Sequence, residues 1–217
     1  MARPKVPLIS RRKALEAALE IVDSEGLSAL SIRRLGEALN VNGASLYHHF
    51  KNKDDILVGV TLLALADVAT PREENENWRV WLPLNAYRTR QALVSHPELI
   101  PIMLRRAPLG IGLAEVEASV QRLQDEGVPL SMIAPLMESL ELLAITSALQ
   151  EVGLVGPAEP EGSELATPHL HAALKARGMS TVELFEVMAS SMISIIESSI
   201  QLKDARKSNG RRGKAKV

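Results

Sequence analysis

The chain has 217 residues, 46% hydrophobic and 24% charged, with no cysteine. That length suits one large or two small domains with an ample core, and the missing cysteine excludes a disulfide, a thiolate metal site and a thiol nucleophile. The formal net charge of -1 conceals an asymmetry: residues 1–53 carry nine Lys/Arg against five Asp/Glu, 54–202 nine against twenty, and 203–217 seven against one. A basic head on an acidic body is the distribution expected of a nucleic-acid-binding module joined to a domain with another task.

Residues 1–9 are short and basic, punctuated by Pro4 and Pro7, and lack a signal peptide's long apolar core, so they read as a flexible arm. Ser10 is placed to cap a helix through Glu25, with Leu15, Ala18, Leu19 and Val22 as its buried stripe and Gly26 as its stop. Ile32, Leu35 and Leu39 then recur at helical spacing. Asn40 tolerates positive φ and ends that helix, Val41 plugs the turn, and Asn42 caps a second short helix. In the second helix Leu46, His49 and Phe50 share one side, while Gly43, Ala44, Ser45, Tyr47 and His48 share the other. Two short helices around an inward Leu35–Val41–Leu46–Phe50 core predict a helix-turn-helix.

The outward side of that second helix begins with small residues, which lets its backbone approach a groove floor. Arg33, Arg34, Lys51 and Lys53 flank it with positive charge. A recognition helix sits in a major groove this way, with base edges read from its start and cations on phosphates. Gly43, Ala44, Ser45 and His48 are therefore predicted to face bases and Arg33, Tyr47 and Lys53 to bind phosphates, with Asn42 at the helix start among the DNA-facing residues.

Asn52 is placed to cap the next helix, with Asp55 as the third residue of a capping box. This connecting helix, 54–69, carries Ile56, Leu57, Val60, Leu63 and Ala64 on its apolar side and links the head (1–53) to a body expected over 70–207. The body reads as all helix, giving an all-α fold class: Trp78 to Ser95 with Pro83 inside it, Glu98 to Arg105, Ile111 to Glu126, a long helix opened by Ser131 to about Val152, Pro168 to Ala176, and a last long helix from Thr181 to about Lys203. Residues 153–167 form a Gly, Pro and Glu-rich loop, and 208–217 a basic tail read as solvated.

No Gly-rich phosphate loop, His-Glu-x-x-His or nucleophile elbow is present, so no enzyme activity and no cofactor are expected. His169 and His171 are too few to make a metal site. The apolar runs at 132–150 and 187–202 contain Glu138, Glu141 and Glu197, and the second is too short to span a bilayer. Burial within a cytoplasmic protein, with no membrane partner, is the expectation. Both runs belong to helices apolar on two sides. That predicts a two-fold homodimer through 131–152 and 181–203, with stripes Leu184–Met188–Ile195–Leu202 and Phe185–Ala189–Met192–Ile196–Ile200 on the last helix.

The stretch from Gly43 to Lys53, GASLYHHFKNK, followed by Ile56 and Leu57, resembles the signature of the TetR family of bacterial transcriptional regulators: a Leu-Tyr-x-His-Phe core, a lysine, then an apolar pair. Asn40 stands where members commonly carry glycine. The resemblance implies a sequence-specific DNA-binding regulator, most often a repressor, that binds double-stranded operator DNA. Its C-terminal body would dimerise and enclose a pocket for a small-molecule effector, and occupancy would change the separation of the two heads. NWRVWLPLNAYRTRQAL is similar to the start of the ligand domain in tetracycline-repressor-type members, with Asn85 matching a drug-contacting asparagine. The family's metal-adjacent histidines fall at Ala69 and near Met103, which argues against a tetracycline–magnesium ligand. Trp81, Asn85, Thr89, Met103, Arg106, Met137 and Glu141 are the expected pocket walls. The alternative is a ligand-independent architectural DNA-binding protein.

Overall fold

Helix α1, Arg11–Glu25, starts at Ser10, whose hydroxyl accepts from the Lys13 N–H, and stops at Gly26 with φ 85°. A computed structural model of the chain describes residues 9–66, 68, 76–155 and 167–214, with side chains through Gln201. Residues 1–8, Ala69, most of the 70–77 boundary and most of the 153–167 loop lie outside the described residues. The buried stripe of α1 is Ala14, Leu15, Ala18, Ile21 and Val22. Leu19, expected inside, is only partly covered, because α2 and α4 approach the helix from the Ala14–Ile21 side.

Helices α2 (Ile32–Ala38), α3 (Gly43–Leu46) and α4 (Lys53–Ala64) complete the head. Asn52 accepts from the Asp55 N–H as its cap. The Asp55 carboxylate reaches one residue further back than a capping box requires, accepting from Lys51 N–H at 3.1 Å, and it pairs with Arg11 at 3.1 Å. α4 ends at Ala64, short of the expected 69.

The body contains α5 (Trp78–Ser95), which continues through Pro83, a single 3-10 turn at Pro97–Leu99, α6 (Ile100–Leu104), α7 (Leu113–Asp125), α8 (Leu130–Glu151), α9 (Pro168–Lys175) and α10 (Thr181–Lys214). No strand occurs among the described residues. Ser131 does not cap α8. The helix begins one residue earlier, with Pro129 (φ -60°) at the cap position and its carbonyl accepting from Met132 N–H at 2.8 Å. α10 runs past the expected end at Lys203 to Lys214, so residues 208–214 of the basic tail continue the last helix.

Two apolar cores result. One joins the head to the end of the body: Leu35, Leu46, Phe50, Ile56 and Val60 are continuous with Leu99, Ile100, Met103 and Ile145. The other lies among α5, α7, α8 and α10, around Trp78, Trp81, Leu136, Leu140, Phe185 and Ile196. α8 alone among the described helices is long and apolar enough to cross a membrane by composition. Its Ile133, Leu136, Leu140 and Ala144 side is covered by this second core. Ile145 is buried against the head core. Ile196 and Ala189 are likewise buried within the chain's own core, whereas Ile195 is 64% exposed and Met188 42%.

Polar groups fix how the body helices meet. Arg90 is fully buried, and its guanidinium donates to Ser147 Oγ at 2.8 Å and to Glu151, tying α5 to α8. Glu151 also accepts from Thr181 Oγ1 at 3.1 Å, which brings in α10. At the other end of α5, Glu126 accepts from Trp78 N–H, from Trp81 Nε1 at 3.1 Å and from Arg122 Nε at 2.8 Å. Burial works to raise the Glu126 pKa, but these three donors outweigh it and hold the carboxyl below its ordinary value. A depressed folded-state pKa gives stability that is present above the unfolded value and lost as pH falls through the folded one. Thermal melts should therefore show Glu126→Gln less stable than the parent at neutral pH, with the gap closing below about pH 4.5. A gap that stays constant into acid would contradict the assignment.

Candidate nucleic-acid interface and small-molecule cavity

α2 ends in a Schellman motif. Leu39 is its C-cap, Asn40 takes φ 52°, Asn40 N–H donates to Glu37 O at 3.1 Å, and Val41 N–H donates to Gly36 O at 2.9 Å. A side chain at Gly36 would place its Cβ 3.0 Å from Val41 O and 3.4 Å from Gly43 N, so glycine here lets α3 sit close against α2 without pushing the turn outward. The sequence reading missed Gly36; a glycine inside a seven-residue amphipathic helix was the available signal. Asn42 Oδ1 accepts from Ala44 N–H at 3.0 Å and starts α3.

Leu46 and Phe50 are buried, and His49 is half-covered with its ring edge-on to Phe50 at 6.3 Å. Asn42, Ala44, Ser45, Tyr47 and His48 are exposed on the opposite side, and Gly43 is partly so. Tyr47, at 61% exposure, is an aromatic ring left in solvent. Arg33, Asn42, Gly43, Ala44 and Tyr47 line one open hollow between α2 and α3. Arg33 has only an exposed pair with Glu37 at 3.4 Å, a contact a phosphate displaces at little cost. Arg34 is instead engaged by Glu25, whose carboxyl it holds below the usual range, and so braces α2 on α1. Lys53 is exposed, with its Nζ 3.4 Å from Leu27 O. Lys53→Ala is expected to weaken binding to every DNA sequence alike and to lower the salt slope by about one unit in titrations across ionic strength. A changed base preference with an unchanged slope would contradict the phosphate role.

The second site is a cavity of about 630 Å³ between α4 and the body, a size that suits a small organic molecule. Trp81, Asn85, Thr89, Met103, Met137 and Glu141 all line it. Arg106, expected among them, does not: it turns to the head and pairs with Asp54 of α4 at 2.6 Å. Leu62 of α4 and Leu65 at its C-cap, with Ile111, Gly112 and Glu115 beyond α6, add to the walls and were not foreseen. Leu62 and Leu65 lie off the Ile56–Leu57–Val60 stripe, so a second apolar face on α4 was the signal. Arg122 also reaches the cavity, but its charge is spent on Glu126 and on Glu76 O at 2.6 Å. Thr89 Oγ1 donates to the Asn85 backbone carbonyl at 3.0 Å, and the Asn85 side-chain amide makes no hydrogen bond among the described residues. Glu141 accepts from Leu109 N–H at 2.7 Å, and Leu109 itself holds φ 60°. Burial pushes the Glu141 carboxyl above its ordinary range, with Leu109 N–H opposing and Glu138 reinforcing the shift.

Known proteins share both halves of this arrangement. The pattern of the bacterial regulatory proteins of the tetR family matches residues 14–60, and that of the tetracyclin repressor-like C-terminal domain matches 70–197. The chain is 27% identical to the class C tetracycline repressor of Escherichia coli over 73% of its own length and 74% of that protein's. It is 31% identical to an HTH-type transcriptional repressor of Mycobacterium tuberculosis over 56% of this chain and 49% of that one. Among solved structures, the Streptomyces coelicolor TetR family protein ActR in complex with (S)-DNPA superposes with a TM-score of 0.71 at 26% identity, covering 89% of this chain and all of ActR. A TetR variant of Acinetobacter baumannii in complex with minocycline gives 0.63 at 26%, covering 88% of this chain and 97% of that one. With the two patterns lying end to end over the head and the body, the chain belongs to the TetR family of bacterial transcriptional regulators.

Proposed function

We propose that the protein is a homodimeric repressor, acting in the cytoplasm, that leaves a palindromic operator when a small molecule fills the cavity. α4 is the observation that supports this most. Its Ile56, Leu57 and Val60 belong to the head core, while its Leu62 and Leu65 line the cavity. A molecule entering the cavity therefore touches the helix that carries the recognition helix, and any preference it has for one position of α4 shifts the head by the same free energy. The Arg106–Asp54 pair at 2.6 Å and the Glu98 carboxylate on Leu27 N–H at 2.8 Å are further links that such a shift must strain or break. Members of the family solved with small molecules bound, including ActR with actinorhodin, support a ligand role.

Asn85 supplies one of few polar anchors in a largely apolar cavity. The test uses an operator obtained by selection and compounds found to dissociate its complex. Asn85→Ala should lower their potency about tenfold, the loss of one good hydrogen bond, while ligand-free operator affinity is unchanged. Unchanged potency for every active compound would place the effector elsewhere.

A further inference from the structure

The charge left unneutralised in the cavity wall is negative. Three ionisable side chains line it among the described residues: Arg122, Glu115 and Glu141. Arg122 is compensated by Glu126 at 2.8 Å and lies over the Trp81 ring at 5.8 Å, so its cationic face is not offered to a ligand. Glu115 and Glu141 have no ion-pair partner among the described residues. One oxygen of Glu141 holds the Leu109 N–H, and the other carries no hydrogen bond. Glu141 is half-buried beside Leu140 and Met137, where a carboxylate lacks much of its hydration and gains most from a cation. The remaining walls, among them Leu62, Leu65, Met103 and Val116, are apolar.

Building on the cavity as the effector site, we propose that its effector class is a lipophilic cation: an apolar, ring-sized body carrying one protonated amine, with the amine on Glu141 and Glu115 at the cavity edge. An anion of the same shape meets two carboxylates and, among the described residues, no free cation, so it is rejected by repulsion as well as by the lack of a partner. A neutral analogue keeps the apolar contacts and the Asn85 amide but gains nothing from Glu141.

The test compares three anthracenes of matched shape, 9-(methylaminomethyl)anthracene, 9-anthracenemethanol and 9-anthracenecarboxylate, on the full chain at mildly alkaline pH. Energy transfer from tryptophan reads occupancy: both tryptophans of the chain are buried in the body and Trp81 lines the cavity. The amine should bind about tenfold tighter than the alcohol and the carboxylate weakest, the scale of one charge-assisted hydrogen bond. Glu141→Gln keeps an acceptor for Leu109 N–H, so the wall is preserved. It should bring the amine down to the alcohol and leave the alcohol unchanged. If the alcohol binds but the carboxylate equals or exceeds the amine, or if Glu141→Gln keeps the amine's advantage, the charge assignment is overturned and the cavity stands. If none of the three binds, the cavity as effector site falls and the charge assignment falls with it.

Discussion

A chain carrying Ile195→Glu is expected to sediment as a monomer at micromolar concentration and to lose at least about 100-fold in operator affinity, the scale of avidity from a second linked head. Ile195 is 64% exposed, Val187 49% and Met188 42%, on a helix whose other side is already buried in its own subunit. Three serines on this stretch of α10 are satisfied within the helix: Ser191 donates to Val187 O at 2.7 Å, Ser194 to Ser190 O at 3.1 Å and Ser198 to Ser194 O at 2.9 Å. On α8, Ser139 and Thr146 likewise donate to Pro135 O and Leu142 O, beside a Leu142 that is 45% exposed. These faces are small and apolar with most of their hydroxyls spoken for, so a second copy can approach closely and strand few donors. Glutamate at 195 would put a charge in the middle of that contact, where desolvation is not repaid. Ile196→Glu would be uninformative: that side chain is 8% exposed in the chain's own core, so its loss would unfold the subunit before reporting on a partner. An Ile195→Glu chain that stays dimeric would move the interface elsewhere.

Glu151→Ala is expected to destabilise the body by about 3 kcal/mol in denaturant titration, because it leaves the buried Arg90 guanidinium without its counter-charge. Arg90 is 0% exposed and one of its terminal nitrogens already lacks a partner, so only Ser147 and the face of Phe185, 5.9 Å away, would remain. Glu151 is 33% exposed, which keeps the figure at the lower end for a broken buried pair. Arg90→Met should cost less than Glu151→Ala, since it removes the buried charge and leaves a carboxylate that water can reach. The opposite order would mean that the guanidinium acts mainly by packing.

The turns and caps of the head were legible because their signals are local. Ser10, Asn42 and Asn52 each cap the helix their position implied, and Asn40 takes the positive φ that ends α2. The body was legible as helices, from Pro, Gly and apolar spacing, but not in how those helices face. A sequence stripe marks a buried side without naming its neighbour. Ile195 and Ile196 fall on adjacent apolar stripes of the last helix, and Ile196 is covered within the subunit while Ile195 carries the open side. Arg90 was invisible for the opposite reason: an arginine in an amphipathic helix reads as surface, and only Ser147 and Glu151, distant in sequence, make its burial tolerable. Arg106 fits a pocket wall by position in the chain and is drawn away by Asp54, a pairing that arises only once α4 lies beside α6.

Selection of bound sequences from a random double-stranded DNA pool by the full-length protein tests the central claim most directly. Two recognition helices related by a two-fold axis should enrich an inverted repeat, with half-sites about one helical turn apart, roughly 34–36 Å or somewhat more. Substituting Ala44 or Ser45 should then change the preferred bases within each half-site and leave the spacing alone. Recovery of no common sequence, or of a single half-site without its inverted copy, would contradict the account.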